Sequence, residues 1–297
     1  GLSPRIGRAD SGQGSEREED LLTELAVIAG DYPLGEGHMG GTFVRQFVLA
    51  LARNGVLCTV IAPLSVVARR NWPLCPETLT EDSGGQPVSI HRPRYVSFSA
   101  RQVPGFNTAL LTQWSFSGCV ARELRRLSCP PDLVYGHFLY CAGRAAVVAA
   151  SKLGSPAVDP LVNESSGRFG RSVSKGLLGT SQARAGFSLI FGCQDGLVRE
   201  LAIPEAKIRV FPNGVDLALF RPGNRSKARS RFGITDDRFV VAFVGHFDRK
   251  KGLEFLLEAV RGLAGISLLL AGSGHADTDG CHVAFKGTLP HSDVPQA

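Results

Sequence analysis

The sequence predicts an α/β chain of two doubly wound domains on parallel sheets, the second incomplete, and three observations carry that expectation. Short apolar runs alternate with amphipathic segments from about residue 25 to the end, the signature of repeated βαβ units. The alternation breaks once, where Pro212, Asn213-Gly214 and Pro222-Gly223 supply turn chemistry, and then restarts. The 297 residues, 43% hydrophobic and 20% charged, are enough to bury a large core and to form two domains rather than one.

Taken in order, "LAVIAG" (25–30) reads as a strand and "TFVRQFVLALARNG" (42–55) as a helix with Val44, Phe47, Val48 and Leu51 on one face and a glycine stop. "VLCTVIAP" is the next strand, followed by a strand around "VSIHRPRYVSF", a helix over "TALLTQWSFSGCVARELRRL" and the strand "DLVYGHF" (132–138). The helix "GRAAVVAASKLG" and the strands "PAVDPLV", "FSLIFG" and "IRVFPN" complete the first domain. After the break come strand "FVVAFVG" (239–245), helix "KGLEFLLEAVRGL" (251–263), and strands "ISLLLAG" (266–272) and "HVAFKG" (282–287). In that helix Leu253, Leu256, Leu257 and Val260 stand at i, i+3, i+4 and i+7, with Glu254, Glu258 and Arg261 opposite. A doubly wound domain typically needs ~100–150 residues, and about half of one follows residue 222. The expected division is a disordered leader over 1–22, an N-terminal domain over 23–217 and a partial C-terminal domain over 218–297.

Composition narrows the function classes. The net charge of +6 is scattered and not interleaved with aromatic residues, which favours anionic ligands or acidic lipid headgroups over nucleic acid. The seven cysteines are widely spaced with no Cys-x-x-Cys pair, which reads as buried, reduced thiols in a cytoplasmic protein and argues against zinc or a redox dithiol. Arg144 and Lys152 interrupt the longest apolar stretch, so no membrane-spanning helix is expected. The polar leader has no apolar signal region. The sequence starts with Gly and its only methionine is Met39, so we read it as a fragment of a longer product. Arg122, Arg125 and Arg126 in "ARELRRL" read as a solvated helix face near its C-terminus, with peripheral contact to anionic lipid as the alternative.

Three stretches could carry chemistry. In "GEGHMGGTFVRQF", Gly40 and Gly41 precede Thr42 as N-cap, so free N–H groups and the positive end of a helix dipole face the strand ends. That suits a phosphate or a sugar hydroxyl; a common loop-and-cap is the plain alternative. His137 ends a strand where the crevice of such a sheet lies, and could orient a reacting group or donate to a sugar hydroxyl, unless neighbouring backbone simply satisfies it. In "VGHFDRKKG", Gly245 ends a strand and Arg249, Lys250 and Lys251 lead into a helix, where cations oppose the dipole at roughly 0.3–1 kcal/mol each. A diphosphate would reverse that sign by taking hydrogen bonds from Lys, Arg and backbone N–H; a solvated basic loop is the alternative.

These stretches, with "IRVFPNGVDLALFRPG", "LLLAGSG" and "VAFKGTLPHSDV", occur in the order and spacing of family 4 retaining glycosyltransferases of GT-B architecture, and the chain resembles that family over roughly residues 25 to 297. The resemblance implies two Rossmann-like domains, a nucleotide-diphosphate sugar held mainly by the C-terminal one, a glycan, lipid or small-molecule acceptor held mainly by the N-terminal one, and no required metal or other cofactor. Residue by residue, it implies that Lys251 neutralises the donor diphosphate. His246 replaces the family's usual Arg after the strand glycine Gly245, with Arg249 available to compensate. Gly40 and Gly41 would approach phosphate and acceptor, and His137 would lie near the transferred sugar. Gly272 and Gly274 would lie under the nucleotide, and the Leu289 backbone where the nucleobase is read. Asn213 and Gly214 would belong to the interdomain turn.

The family's paired glutamates, spaced Glu-x7-Glu, lie beyond "FKGTLPHSDVP" and are not in the sequence, and Glu254 and Glu258 on an exposed helix face do not replace them. The expectation is therefore negligible transfer by this chain alone. A sugar-nucleotide epimerase or a phosphorylase of the same architecture is the first competing reading. A non-catalytic binding module is the second.

Overall fold

The computed structural model describes residues 23–35, 38, 40–67, 76–98, 102–103, 106–161, 185–189, 208–210, 214–234 and 237–297. The leader predicted over 1–22 lies outside them, as do Cys75, Cys193 and Asn213. The chain divides into two compact units, Gly1–Asn213 and Gly214–Ala297.

The first unit begins with β1 (Glu24–Ala29), α1 (Thr42–Arg53), β2 (Leu57–Ile61), β3 (Leu64–Ser65), β4 (Thr78–Glu81), β5 (Val88–His91) and β6 (Arg94–Tyr95). Then come β7 (Gln102–Val103), β8 (Phe106–Asn107), α2 (Ala109–Leu124), β9 (Leu133–His137), a π-helical turn (Leu139–Gly143), α3 (Arg144–Leu153), β10 (Ala157–Leu161), β11 (Ala185–Leu189) and β12 (Ile208–Val210). One sheet runs β12-β11-β10-β9-β1-β2-β5-β4, parallel apart from β4, which pairs antiparallel with β5.

Strand β1 is buried on both faces, and its alternation sorts the helices. Leu25, Val27 and Ala29 pack with Val44, Val48 and Ala52 of α1. Ala26 and Ile28 pack with Phe116, Val120 and Leu124 of α2 and Ala145, Ala146 and Ala149 of α3. Burying a Val, Leu or Phe side chain is worth roughly 1.5–3 kcal/mol, so these two layers supply the unit's main stabilisation. The doubly wound α/β class predicted from the alternation is the class observed.

Several details differ from the sequence reading. Gly41, not Thr42, is the N-cap of α1: its φ is 69°, and Thr42 is the first helical residue. A Cβ at Gly41 would lie 2.5 Å from Asp31 O, so the loop after β1 closes on the helix start only with glycine there. Phe47, placed on the buried face, is 38% exposed and rests on the ring of Tyr135, with centroids 5.0 Å apart. The stretch 88–98 is two strands, because Pro93 cannot donate to a ladder; β5 stays in the large sheet and β6 pairs with β3. Strand β4 was not anticipated, since its edge position leaves Thr78 and Thr80 exposed and its sequence polar.

The second unit holds α4 (Arg225–Arg231), β13 (Phe239–Val244), a 3-10 turn (Arg249–Lys251), α5 (Leu253–Val260), β14 (Ile266–Ala271), β15 (Val283–Gly287) and a 3-10 turn (His291–Gln296). Its three strands form a parallel sheet in the order β13-β14-β15. Leu268 and Leu270 face Leu253, Leu257 and Val260 of α5, while Leu269 and Ala271 face Phe232 and Ile234. Strand β13 lies at the sheet edge with Phe239 69% exposed and Val244 also open. Helix α4 escaped the sequence reading because none of its residues is buried; its start is fixed by Asn224, whose Oδ1 accepts from Lys227 N at 3.0 Å.

Backbone contact interlocks the loops after β13 and β14. Gly245 N donates to Ala271 O at 2.9 Å, Phe247 N donates to Ser273 O at 2.7 Å, and Gly272 N donates to Gly287 O at 2.7 Å. A Cβ on Gly272 would fall 1.8 Å from Gly245 O, and one on Gly274 would fall 2.7 Å from Phe247 O. Gly272→Ala is expected to destabilise the second unit by about 1–3 kcal/mol or more. Denaturant unfolding followed by circular dichroism measures it, and an unchanged midpoint would show that the two loops separate freely.

Candidate functional site

Each unit carries its own cluster of chemically capable groups. In the first, the carboxyl ends of the parallel strands gather the loop after β1, the start of α1 and the end of β9, because Ala29 of β1 and His137 of β9 are register partners. His137 is 6% exposed. Its Nδ1 lies 3.0 Å from the Tyr135 hydroxyl, and its Nε2 is buried with no hydrogen-bond partner among the described residues. The imidazole sits among aromatic rings, with the Phe43 centroid at 5.1 Å and the Phe138 centroid at 4.6 Å. Phe43 lies in the first turn of α1, two residues after Gly41, so the helix start and His137 are brought together.

That environment holds the imidazole neutral. Burial, which disfavours the cation, lowers the His137 pKa from 6.5 to about 4. A neutral ring with a free nitrogen can give or take one hydrogen bond, and brings no charge to a phosphate.

The backbone after His137 is strained. Phe138 and Cys141 have φ of 69° and 61°, a region that costs about 1–3 kcal/mol for residues with a side chain. A clamp holds the turn: Gln113 Oε1 accepts from Cys141 N at 2.9 Å, and Gln113 Nε2 donates to Cys141 O at 3.1 Å. A Cβ on Gly136 would lie 2.6 Å from Gly143 Cα, so the chain folds back on itself within one turn of the strand end. Gln113 was not singled out from the sequence; a glutamine one turn before Phe116 on the inward face of the helix, buried there with Thr112 and Glu123, is the signal that could have found it. Arg92, also missed, is buried and donates from Nη2 to Pro33 O at 2.8 Å, tying the end of β5 to the loop after β1.

In the second unit, Gly245, His246, Gly272 and Gly274 lie in the interlocked loops, and His246 Nδ1 is 3.2 Å from Ser273 Oγ. The glycines have a packing reason for their identity whatever binds above them. Leu289 is half-buried against the layer of Phe232, Ile234, Leu269 and Ala271. The basic run is less anomalous than its sequence suggested. Asp248 caps the 3-10 turn, its Oδ1 accepting from Lys251 N at 3.0 Å, and Arg249 Nε pairs with Glu254 Oε1 at 3.0 Å. Gly252, with φ 76°, then separates this turn from α5. Lys250 and Lys251 are exposed, and no carboxylate partner is recorded for either among the described residues.

A cavity of about 410 Å³ opens beside this turn, between α5 and the loop after β14. Asp248, Glu254, Glu258 and Asp277 line it together with Arg249, Arg261 and His275, and neither Lys251 nor Gly272 borders it. Glu254 is paired with Arg249 and Asp277 with Arg261, which leaves Asp248 and Glu258 as an excess of negative charge in the lining and no arginine free for a diphosphate there. Among the described residues no three His, Cys, Asp or Glu side chains gather as a metal site. Cys58 and Cys119 are buried free thiols, each pushed up to about 11 by burial, and no helix is long and apolar enough to cross a membrane.

The paired doubly wound units are those of the GT-B architecture. HepE of Anabaena in complex with UDP-glucose has this fold: the match covers 92% of the chain and 70% of HepE at a TM-score of 0.55 and 17% identity. No family model matches the sequence. Among relatives, a protein named D-inositol 3-phosphate glycosyltransferase 1 from Catenulispora acidiphila is 34% identical over 154 residues, 47% of this chain and 36% of the relative. One named D-inositol 3-phosphate glycosyltransferase from Segniliparus rotundus is 28% identical over 258 residues, 80% of this chain and 54% of the relative. The chain thus spans about half the length, or less, of the relatives it matches.

The His137 environment has a measurable consequence. Between pH 6.5 and about 4 the unfolded chain binds a proton that folded His137 does not. Stability is therefore fully present above 6.5 and falls as pH drops towards 4, by about 3 kcal/mol in total. Denaturant unfolding of wild type and His137→Gln at pH 7 and pH 4 should show that extra loss in wild type only. Equal losses would mean that the imidazole is not buried as described.

Proposed function

We propose that the chain is the acceptor-side unit and part of the donor-side unit of a glycosyltransferase, which moves a sugar from a nucleotide-diphosphate donor to an acceptor hydroxyl with retained configuration. The observation that carries the reading is the 258-residue likeness to the Segniliparus rotundus protein, which runs over most of the chain. We place the transfer in polysaccharide, glycolipid or glycoconjugate synthesis, with a glycan, a lipid or a small molecule as acceptor.

In this reading the exposed Lys251 and the neighbouring backbone amides stabilise the departing diphosphate, and this charge neutralisation supplies much of the catalysis without a metal. His246 adds a hydrogen bond rather than a fixed charge. Arg249, engaged with Glu254, contributes less than a free arginine would. Neutral His137 offers its unpaired Nε2 to a hydroxyl of the transferred sugar, oriented by Tyr135 through Nδ1. Gly40 and Gly41 leave room for the acceptor or phosphate to approach the start of α1.

Binding is a more direct readout than turnover, because the chain spans only part of its relatives. Isothermal titration with UDP and GDP should detect one of them, and Lys251→Ala should weaken it by roughly ten- to a hundredfold, the worth of a charge-assisted hydrogen bond. No binding, or binding indifferent to Lys251→Ala, would sink the assignment. Where the chain turns donor over at all, product analysis separates the competitors, since an epimerase needs no acceptor and a phosphorylase requires inorganic phosphate.

A further inference from the structure

Helix α2 has two faces of different character. Inward it presents Phe116, Cys119, Val120 and Leu124 to the sheet. Outward, Leu110, Leu111, Trp114, Gly118, Arg122 and Arg125 are all exposed, and at 100° per residue they fall on one stripe about 22 Å long. Trp114 is 79% exposed. The strand exit beside the helix extends the apolar half: Val96 N donates to Ser115 Oγ at 3.0 Å and Phe98 N to Thr112 Oγ1 at 2.8 Å, with both side chains exposed.

The helix C-terminus gives a structural reason for Arg122 and Arg125. Among the described residues, no packing contact accounts for an open tryptophan flanked by two leucines, a valine and a phenylalanine. The stripe also lacks acidic groups. The single carboxylate of α2, Glu123, is buried, with Oε1 2.8 Å from His91 Nδ1 and Oε2 accepting from Arg126. An aromatic and aliphatic patch continued by cations, with no carboxylate, matches the apolar and anionic layers of a phospholipid interface.

We propose that this face of α2, with Val96 and Phe98, docks the chain on the surface of an anionic phospholipid bilayer. Trp114, Leu110 and Leu111 enter the headgroup region and Arg122 and Arg125 lie against lipid phosphates. The site is independent of the nucleotide-binding reading and would stand if that reading failed. None of these side chains belongs to the two buried layers of the unit, so replacing them leaves the core intact.

Flotation of the whole chain with vesicles tests the proposal, using phosphatidylcholine alone and phosphatidylcholine mixed with phosphatidylglycerol. Binding to the mixed vesicles is expected, with Leu111→Ser/Trp114→Ser reducing it roughly tenfold or more, Arg122→Gln/Arg125→Gln reducing it and making what remains less sensitive to salt, and thermal unfolding unchanged. No association with either vesicle overturns the proposal, as does equal association with neutral vesicles or full binding by the tryptophan variant. A concentration-dependent dimer in lipid-free solution, abolished by Trp114→Ser, would overturn it in favour of a second copy of the chain.

Discussion

The first unit depends on strand β1 being buried on both faces. Once Leu25, Val27 and Ala29 are committed to one helix layer and Ala26 and Ile28 to the other, a one-residue slip would exchange the two sets and leave both cores mismatched. The same commitment fixes the neighbours, since β2 and β9 must run parallel to β1 to keep their own apolar residues in those layers. All three strands therefore end on the same edge. His137 meets the start of α1 because of the sheet's register, with no contribution from the site itself.

That edge explains why polar and strained features can persist beside an apolar core. A buried imidazole with no partner for Nε2 among the described residues and two side-chain-bearing residues at positive φ each carry a cost, and a marginally stable fold keeps such features only where its surroundings leave no alternative. Gln113 provides that constraint from α2, answering both the donor and the acceptor of Cys141. The second unit uses a different device. There the loops are joined backbone to backbone, and glycine replaces the side-chain clamp.

The alternation of apolar runs and amphipathic helices was legible because burial itself writes it, and the strands and helices it marked are present wherever the structure describes them. Elements stabilised without burial left no such trace: α4 buries nothing, and β4 is a half-exposed edge. The site was legible at the level of which loops face the strand ends, and less so in its electrostatics. The sequence shows Arg249, Lys250 and Lys251 side by side, but the cap from Asp248 and the reach of Glu254 back to Arg249 depend on the turn's three-dimensional course. Likewise, the neutrality of His137 follows from rings contributed by residues far apart in the chain.

The exposed edge of the three-stranded sheet has a bearing on handling rather than on chemistry. Strand β13 offers an unpaired backbone ladder among the described residues, with Phe239 and Val244 open beside it, and no proline, charge or bulge within Phe239–Val244 to discourage a partner. A preparation of the second unit by itself would be prone to strand-on-strand association in concentrated solution, and its solubility would be governed by that edge more than by its net charge.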